Sequence, residues 1–140
     1  MLYTREHTWA ETTPEARVRV GLSDYICTCK ELREIVHVWT ETIGGRVKQM
    51  EPLGVVETWR FVLDIYAPVS GRLIELNGKI MDNPSIISED PYGSGWIAEI
   101  EPTNLENEIK GLLSSMEYEQ YCNELCLACP KKNCPLSSSV

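Results

Sequence analysis

Pro52-Leu53-Gly54-Val55-Val56-Glu57-Thr58-Trp59-Arg60-Phe61-Val62-Leu63-Asp64-Ile65-Tyr66 decides the fold of this chain. β-Branched and aromatic residues fill both halves. The stretch reads as two strands, Pro52 to Trp59 and Phe61 to Tyr66, joined in a hairpin with Arg60 at the tip. Working outward, Arg17-Val18-Arg19-Val20-Gly21-Leu22 alternates as a strand with one buried face. Ser23 or Asp24 can cap a short helix reaching to about Leu32. Glu34 to Trp39 is another strand, and Gly44-Gly45 a turn. Arg72 to Asn77 alternates again, with Asn77-Gly78 as a turn signal. Asn83-Pro84 and Asp90 to Gly95 are loops, and Trp96 to Ile100 is a last strand. Short strands with frequent turns predict a mainly β sandwich or barrel. From Thr103 the spacing becomes helical. Asn104 caps one helix through Leu112. Ser114 and Glu117, at capping-box spacing, open a second to about Leu127, before Pro130 disfavours helical backbone at Cys129.

A length of 140 residues with 43% apolar content suits one compact domain and a small appendage, with 1–121 and 122–140 as the expected units. The net charge of −8 argues against nucleic-acid binding, which wants a basic face. No apolar run approaches the roughly 20 residues that span a bilayer. The start lacks the long apolar region of a secretory signal. A cytoplasmic location is therefore expected. There, the 6 cysteines would be metal ligands, redox groups or small core residues rather than permanent disulfides.

Five separated stretches then converge, in order. They are Tyr3-Thr4-Arg5-Glu6-His7-Thr8-Trp9, Val20-Gly21-Leu22-Ser23-Asp24-Tyr25, Glu51-Pro52-Leu53-Gly54-Val55-Val56-Glu57, Asp64-Ile65-Tyr66-Ala67-Pro68-Val69-Ser70-Gly71 and Glu89-Asp90-Pro91-Tyr92-Gly93-Ser94-Gly95-Trp96. Together they resemble the glycine cleavage system H protein family over roughly Leu2 to Tyr121. The resemblance implies a lipoyl/biotinyl-type β-sandwich, a barrel-sandwich hybrid, with C-terminal α-helices. It also implies a carrier rather than an enzyme. Such a protein moves an aminomethyl group, on a lipoyl arm, from a pyridoxal-phosphate decarboxylase to a tetrahydrofolate-dependent aminomethyltransferase. A flavin-dependent dihydrolipoyl dehydrogenase reoxidises the arm. Partners implied by the resemblance are glycine cleavage proteins, lipoate ligase and enzymes that handle lipoylated carriers.

Three departures from the family pattern matter. Arg60 stands where the resemblance places the lipoyl lysine. A guanidinium stays protonated and offers no nucleophilic amine, so no lipoate is expected there. Lys48 and Lys79 are the nearest lysines and belong to other loops. The stretch Ile26-Cys27-Thr28-Cys29-Lys30 is longer than the family's, and a cysteine-rich tail follows the usual C-terminal helix. In the family, acidic residues such as Glu57 and Asp64 help a ligase recognise its lysine; alternatively they are solvated charges. Alternation sends Trp59 and Phe61 to the face opposite Arg60. There they are core packing, or, if that face meets solvent, anchors for a partner.

In the tail, Cys122, Cys126, Cys129 and Cys134 place four thiols within thirteen residues. Cys122 and Cys126 share a helical stripe beside Tyr118 and Leu125, where thiols pack as small hydrophobes. Cys129 and Cys134 fall beyond the helix in a Pro-flanked turn, where packing gives no reason for them. All four could hold zinc, whose thiolates lie about 2.3 Å from the metal, if the chain curls back after the helix break. An iron–sulfur cluster tolerates wider spacing. Cys27 and Cys29 are weaker candidates. His7 and His37 read as satisfied or surface histidines, and Gly93 and Gly95 as loop glycines. The chain therefore reads as a non-catalytic module, not lipoylated at Arg60, that docks as scaffold, decoy or regulator. The alternatives are a metal- or iron–sulfur-binding redox protein built on the same scaffold, and a genuine carrier with another attachment site.

Overall fold

The computed structural model describes residues 1–29, 32 and 34–128. Its strands are β1 (Leu2–Tyr3), β2 (Thr8–Thr12), β3 (Val18–Leu22), β4 (Ile35–Thr40), β5 (Arg46–Val47), β6 (Pro52–Thr58), β7 (Val62–Tyr66), β8 (Gly71–Leu76) and β9 (Ala98–Pro102). Its helices are α1 (Asp24–Cys29), α2 (Gly78–Asp82), α3 (Ile86–Glu89), α4 (Leu105–Glu108) with a 3₁₀ turn at Ile109–Gly111, and α5 (Ser115–Ala128). The strands form two antiparallel sheets. One runs β1-β2-β3-β9-β8-β5 and the other β4-β6-β7. The expected mainly β sandwich with C-terminal helices is what the chain builds.

Strand alternation explains the core. Val18, Val20 and Leu22 of β3, Leu73 of β8 and Ile100 of β9 turn inward from the larger sheet. Val38, Leu53, Val56 and Ile65 meet them from the smaller one. A second cluster lies between the β1–β2 end and α5. It holds Tyr3, Trp9, Tyr25, Leu113, Tyr118 and Cys122. Gly21 makes room for it, since a Cβ there would stand 2.5 Å from the Trp9 ring.

Local chemistry shifts some elements from their expected places. Asn77-Gly78 is not a turn. Asn77 caps α2, its side chain accepting the Lys79 N–H at 3.1 Å while its amide donates to the Ser94 and Trp96 carbonyls at 2.7 Å each. The last strand lies two residues later than expected, because Trp96 and Ile97 are held by the Gly93 and Val20 carbonyls instead. Gly95 is required by crowding against backbone, while Gly93 faces the Asp90 carboxylate. A Cβ on Gly95 would sit 2.5 Å from the Ile86 carbonyl, and one on Gly93 would sit 2.4 Å from Asp90 Oδ2. The capping box forms as expected. Ser114 N–H donates to Glu117 Oε1 at 2.9 Å, and Glu117 N–H to Ser114 Oγ at 3.2 Å. Helix α5 then runs unbroken through the expected boundary at residue 122.

Candidate functional site

The β6–β7 hairpin places Arg60 at an exposed tip. Thr58 organises the turn. Its N–H donates to the Phe61 carbonyl at 2.9 Å, and its Oγ1 accepts the N–H groups of Arg60 and Phe61, each at 3.2 Å. Ending the strand at Thr58 breaks the alternation that would put Trp59 and Phe61 together. Trp59 is 78% exposed, whereas Phe61 is half-buried against the main core. The two aromatics therefore have different jobs. Phe61 packs, and Trp59 is presented to solvent.

Cross-strand register builds a surface beside the tip. His37, Glu57 and Val62 stand in one row across β4, β6 and β7, and Trp39, Val55 and Asp64 in another. Directly opposite residues share a face. Five of these six side chains are exposed, and Val55 is half-buried. A bulge between Ile35 and His37 turns Val36 outward as well. The face thus combines Trp39 and Val62 with the carboxylates of Glu57 and Asp64, and the exposed Trp59 stands in the turn two residues beyond Glu57. Large apolar groups beside fixed charges suit a protein partner, the aromatics supplying contact energy and the carboxylates orientation. The hairpin sequence alone does not single out Trp39 or Val62. The signal for them is strand pairing, which a single segment does not reveal.

The remaining candidates fall elsewhere. His7 is a structural histidine. Its Nδ1 lies 2.7 Å from the Tyr118 hydroxyl, which also lies 2.6 Å from Ser23 Oγ. Its backbone takes φ 72°, in the left-handed region, at the bend between β1 and β2. His37 is exposed on the hairpin face, far along the chain from His7. Cys27 is buried and donates to the Ile87 carbonyl at 3.7 Å. Burial, then the nearby Asp24 carboxylate, pushes its thiol up to about 12, which suppresses the nucleophilic thiolate. Burial likewise drives the Tyr118 hydroxyl well above its ordinary range.

Cys122 is 1% exposed within the second core cluster, so it packs α5 onto the sandwich. Cys126 lies on α5. Cys129 and Cys134 lie outside the described residues. Among the described residues no group of His, Cys, Asp and Glu is arranged to hold a metal ion. No described helix is long and apolar enough to cross a membrane.

Residues 1–125 match the family model described as "Glycine cleavage H-protein". The chain is 43% identical over 125 residues to the probable glycine cleavage system H protein of Pyrococcus abyssi, covering 89% of this chain and 91% of that one. It is 39% identical over 124 residues to the glycine cleavage system H protein of Herpetosiphon aurantiacus, covering 89% and 92%. The crystal structure of a glycine cleavage system H protein from Mycobacterium marinum superposes with a TM-score of 0.74 at 32% identity. That match covers 89% of this chain and 95% of that one.

Proposed function

The chain belongs to the glycine cleavage H-protein family, and on that premise we propose that it is a member that docks without carrying lipoate. The family's proteins are carriers rather than catalysts, and this chain is not an enzyme. The observation that carries the proposal is Arg60, exposed at the hairpin tip where the family resemblance places the lipoyl lysine. Its guanidinium cannot accept a lipoyl group as an amine does. Lys48 and Lys79 are exposed but lie after β5 and on α2, away from the hairpin strands.

The surface around the tip supports a docking role. Trp59, Trp39 and Val62 are exposed at 78%, 50% and 58%, next to Glu57 and Asp64. A partner is a glycine cleavage component or a protein that handles lipoate, and the module acts on it as scaffold, decoy or regulator. The test is competition for aminomethyltransferase between this protein and a lipoylated H protein. Saturable competition, weakened about 30-fold by Trp59→Ala, is the expected result for a hot-spot tryptophan worth about 2 kcal/mol. Absence of binding to aminomethyltransferase, decarboxylase, dihydrolipoyl dehydrogenase and lipoate ligase alike would overturn the docking role.

A second activity rests on the tail. Cys126, Cys129 and Cys134 follow closely in sequence, while Cys122 is committed to packing. Zinc or an iron–sulfur cluster held by the tail would be lost on Cys129→Ser and Cys134→Ser substitution, and retained in a folded Cys122→Ala variant. Metal analysis after anaerobic purification checks this, and a metal-free parent protein overturns it.

A further inference from the structure

Two arginines oppose each other directly at the edge of the larger sheet. Arg46 on β5 is the cross-strand partner of Arg72 on β8, and Arg72 is in turn opposite Glu101 on β9. Lys48 lies two residues beyond Arg46. All three cations are exposed. Like charges placed directly opposite destabilise a ladder. Elsewhere on this sheet the cations are neutralised. Arg19 donates to Glu99 Oε2 through Nε at 3.1 Å and Nη2 at 2.8 Å. Arg17 reaches Glu75 at 3.6 Å and Glu99 at 3.7 Å. Arg46, Lys48 and Arg72 form no ion pair among the described residues. The chain has 21 acidic residues against 13 basic ones, so a shortage of carboxylates does not explain this opposition.

The three cations border a groove of about 520 Å³, together with Ser70, Thr103 and Asn104. Glu101 and Glu108 border it as well. Glu108 is already engaged, its two oxygens accepting the Ser70 N–H at 2.7 Å and the Ser70 hydroxyl at 2.6 Å. Asn104 Oδ1 accepts from Asn107 at 2.8 Å, which leaves its amide NH₂ as a donor. Three cations thus face one uncommitted carboxylate, Glu101. Guanidinium forks match phosphate oxygens in pairs, and a lysine adds a point charge. The groove also falls in the size range of small-molecule sites, larger than a bare phosphate needs.

We propose that this groove binds the phosphate end of a small phosphorylated molecule, with Arg46 and Arg72 clasping the phosphate and Lys48 beside them. Such a ligand relieves the arginine opposition that the fold otherwise carries. The site lies on the larger sheet and is independent of the hairpin on the smaller one.

The test follows backbone amide shifts at physiological salt while inorganic pyrophosphate is titrated, with tricarballylate as a carboxylate probe. Saturable shifts at 46–48, 70–72 and 103–104 are expected, with pyrophosphate binding more tightly than tricarballylate. The Arg46→Gln, Arg72→Gln double variant should bind at least tenfold more weakly, and Lys48→Gln, which lies off the strands, about threefold more weakly. Arg17→Gln removes the same charge elsewhere on the sheet and should change affinity less than twofold. Shifts that never saturate, tighter binding of tricarballylate, or an equal loss in Arg17→Gln would overturn the proposal. So would unchanged binding in Lys48→Gln, the check that stands if the double variant does not fold.

Discussion

Replacing Tyr118 by Phe removes one oxygen and leaves the ring in place. That oxygen lies 2.6 Å from Ser23 Oγ and 2.7 Å from His7 Nδ1, joining α5 to the turn after β3 and to the bend after β1. The ring contact survives, because Tyr3 stacks on Tyr118 at 4.2 Å between centroids and 4° between planes. Each lost hydrogen bond is worth about 0.5–1.5 kcal/mol net. Ser23 remains fully buried, with its Oγ still accepting the Ile26 N–H at 3.3 Å. The expected cost is about 2 kcal/mol, or a fall in Tm of about 6–8 °C for a domain of this size. Urea and thermal denaturation of Tyr118→Phe, Ser23→Ala and the double variant measure it. The two sites share one bond, so their effects should fall short of additive by about 1 kcal/mol. A loss below about 0.5 kcal/mol, or a fully additive cycle, would refute the assignment of this network as the pin that holds α5.

Other outcomes follow from the same geometry. Ser114→Ala should destabilise the protein by about 1 kcal/mol through loss of the cap. The backbone and side-chain bonds from Ser114 hold the Glu117 carboxyl below its ordinary value. That contribution is present above the unfolded-state value and lost as pH falls through the folded one, so the stability gap between the parent and a Glu117→Gln variant should narrow in acid. Gly21→Ala should cost about 1–3 kcal/mol by overpacking against Trp9, seen as a lower urea midpoint with an unchanged slope. Cys27 has a raised value, from the ordinary 9.0 to about 12. The stability tied to its neutral thiol is complete below 9.0 and erodes as pH climbs toward 12. Native protein should leave Cys27 unlabelled by a thiol reagent at pH 8, and labelling at the unfolded rate would contradict its burial.

Sequence pattern carried the strands that have one buried face. Arg17 to Leu22, Glu34 to Trp39 and the two arms of the hairpin all appear within a residue or two of their expected limits, because period-two burial is a local signal. The Ser114–Glu117 box was legible for the same reason. Features set by distant partners were not. Asn77 becomes a helix cap because its amide meets carbonyls at Ser94 and Trp96. Trp59 and Phe61 part company because Thr58 Oγ1 gathers the turn amides. The outward face of Trp39 and Val62 exists only once β4, β6 and β7 pair. Helical spacing in α5 fits the packing role of Cys122, since Tyr118 and Leu125 lie on the same side of the helix in the second cluster.

The most direct test of the account is intact mass, with an anti-lipoyl blot, for the parent protein and Arg60→Lys coexpressed with a lipoate ligase. The substitution restores an amine at an exposed turn and should cost no more than about 0.5 kcal/mol in stability. A Trp59→Val, Arg60→Lys variant separates loss of recognition from obstruction by the exposed indole. An unmodified parent is expected, with one lipoyl group on Lys at position 60 in either the single or the double variant. A lipoyl group on Lys48 or Lys79 of the parent would contradict it, as would two folded variants that the ligase leaves untouched.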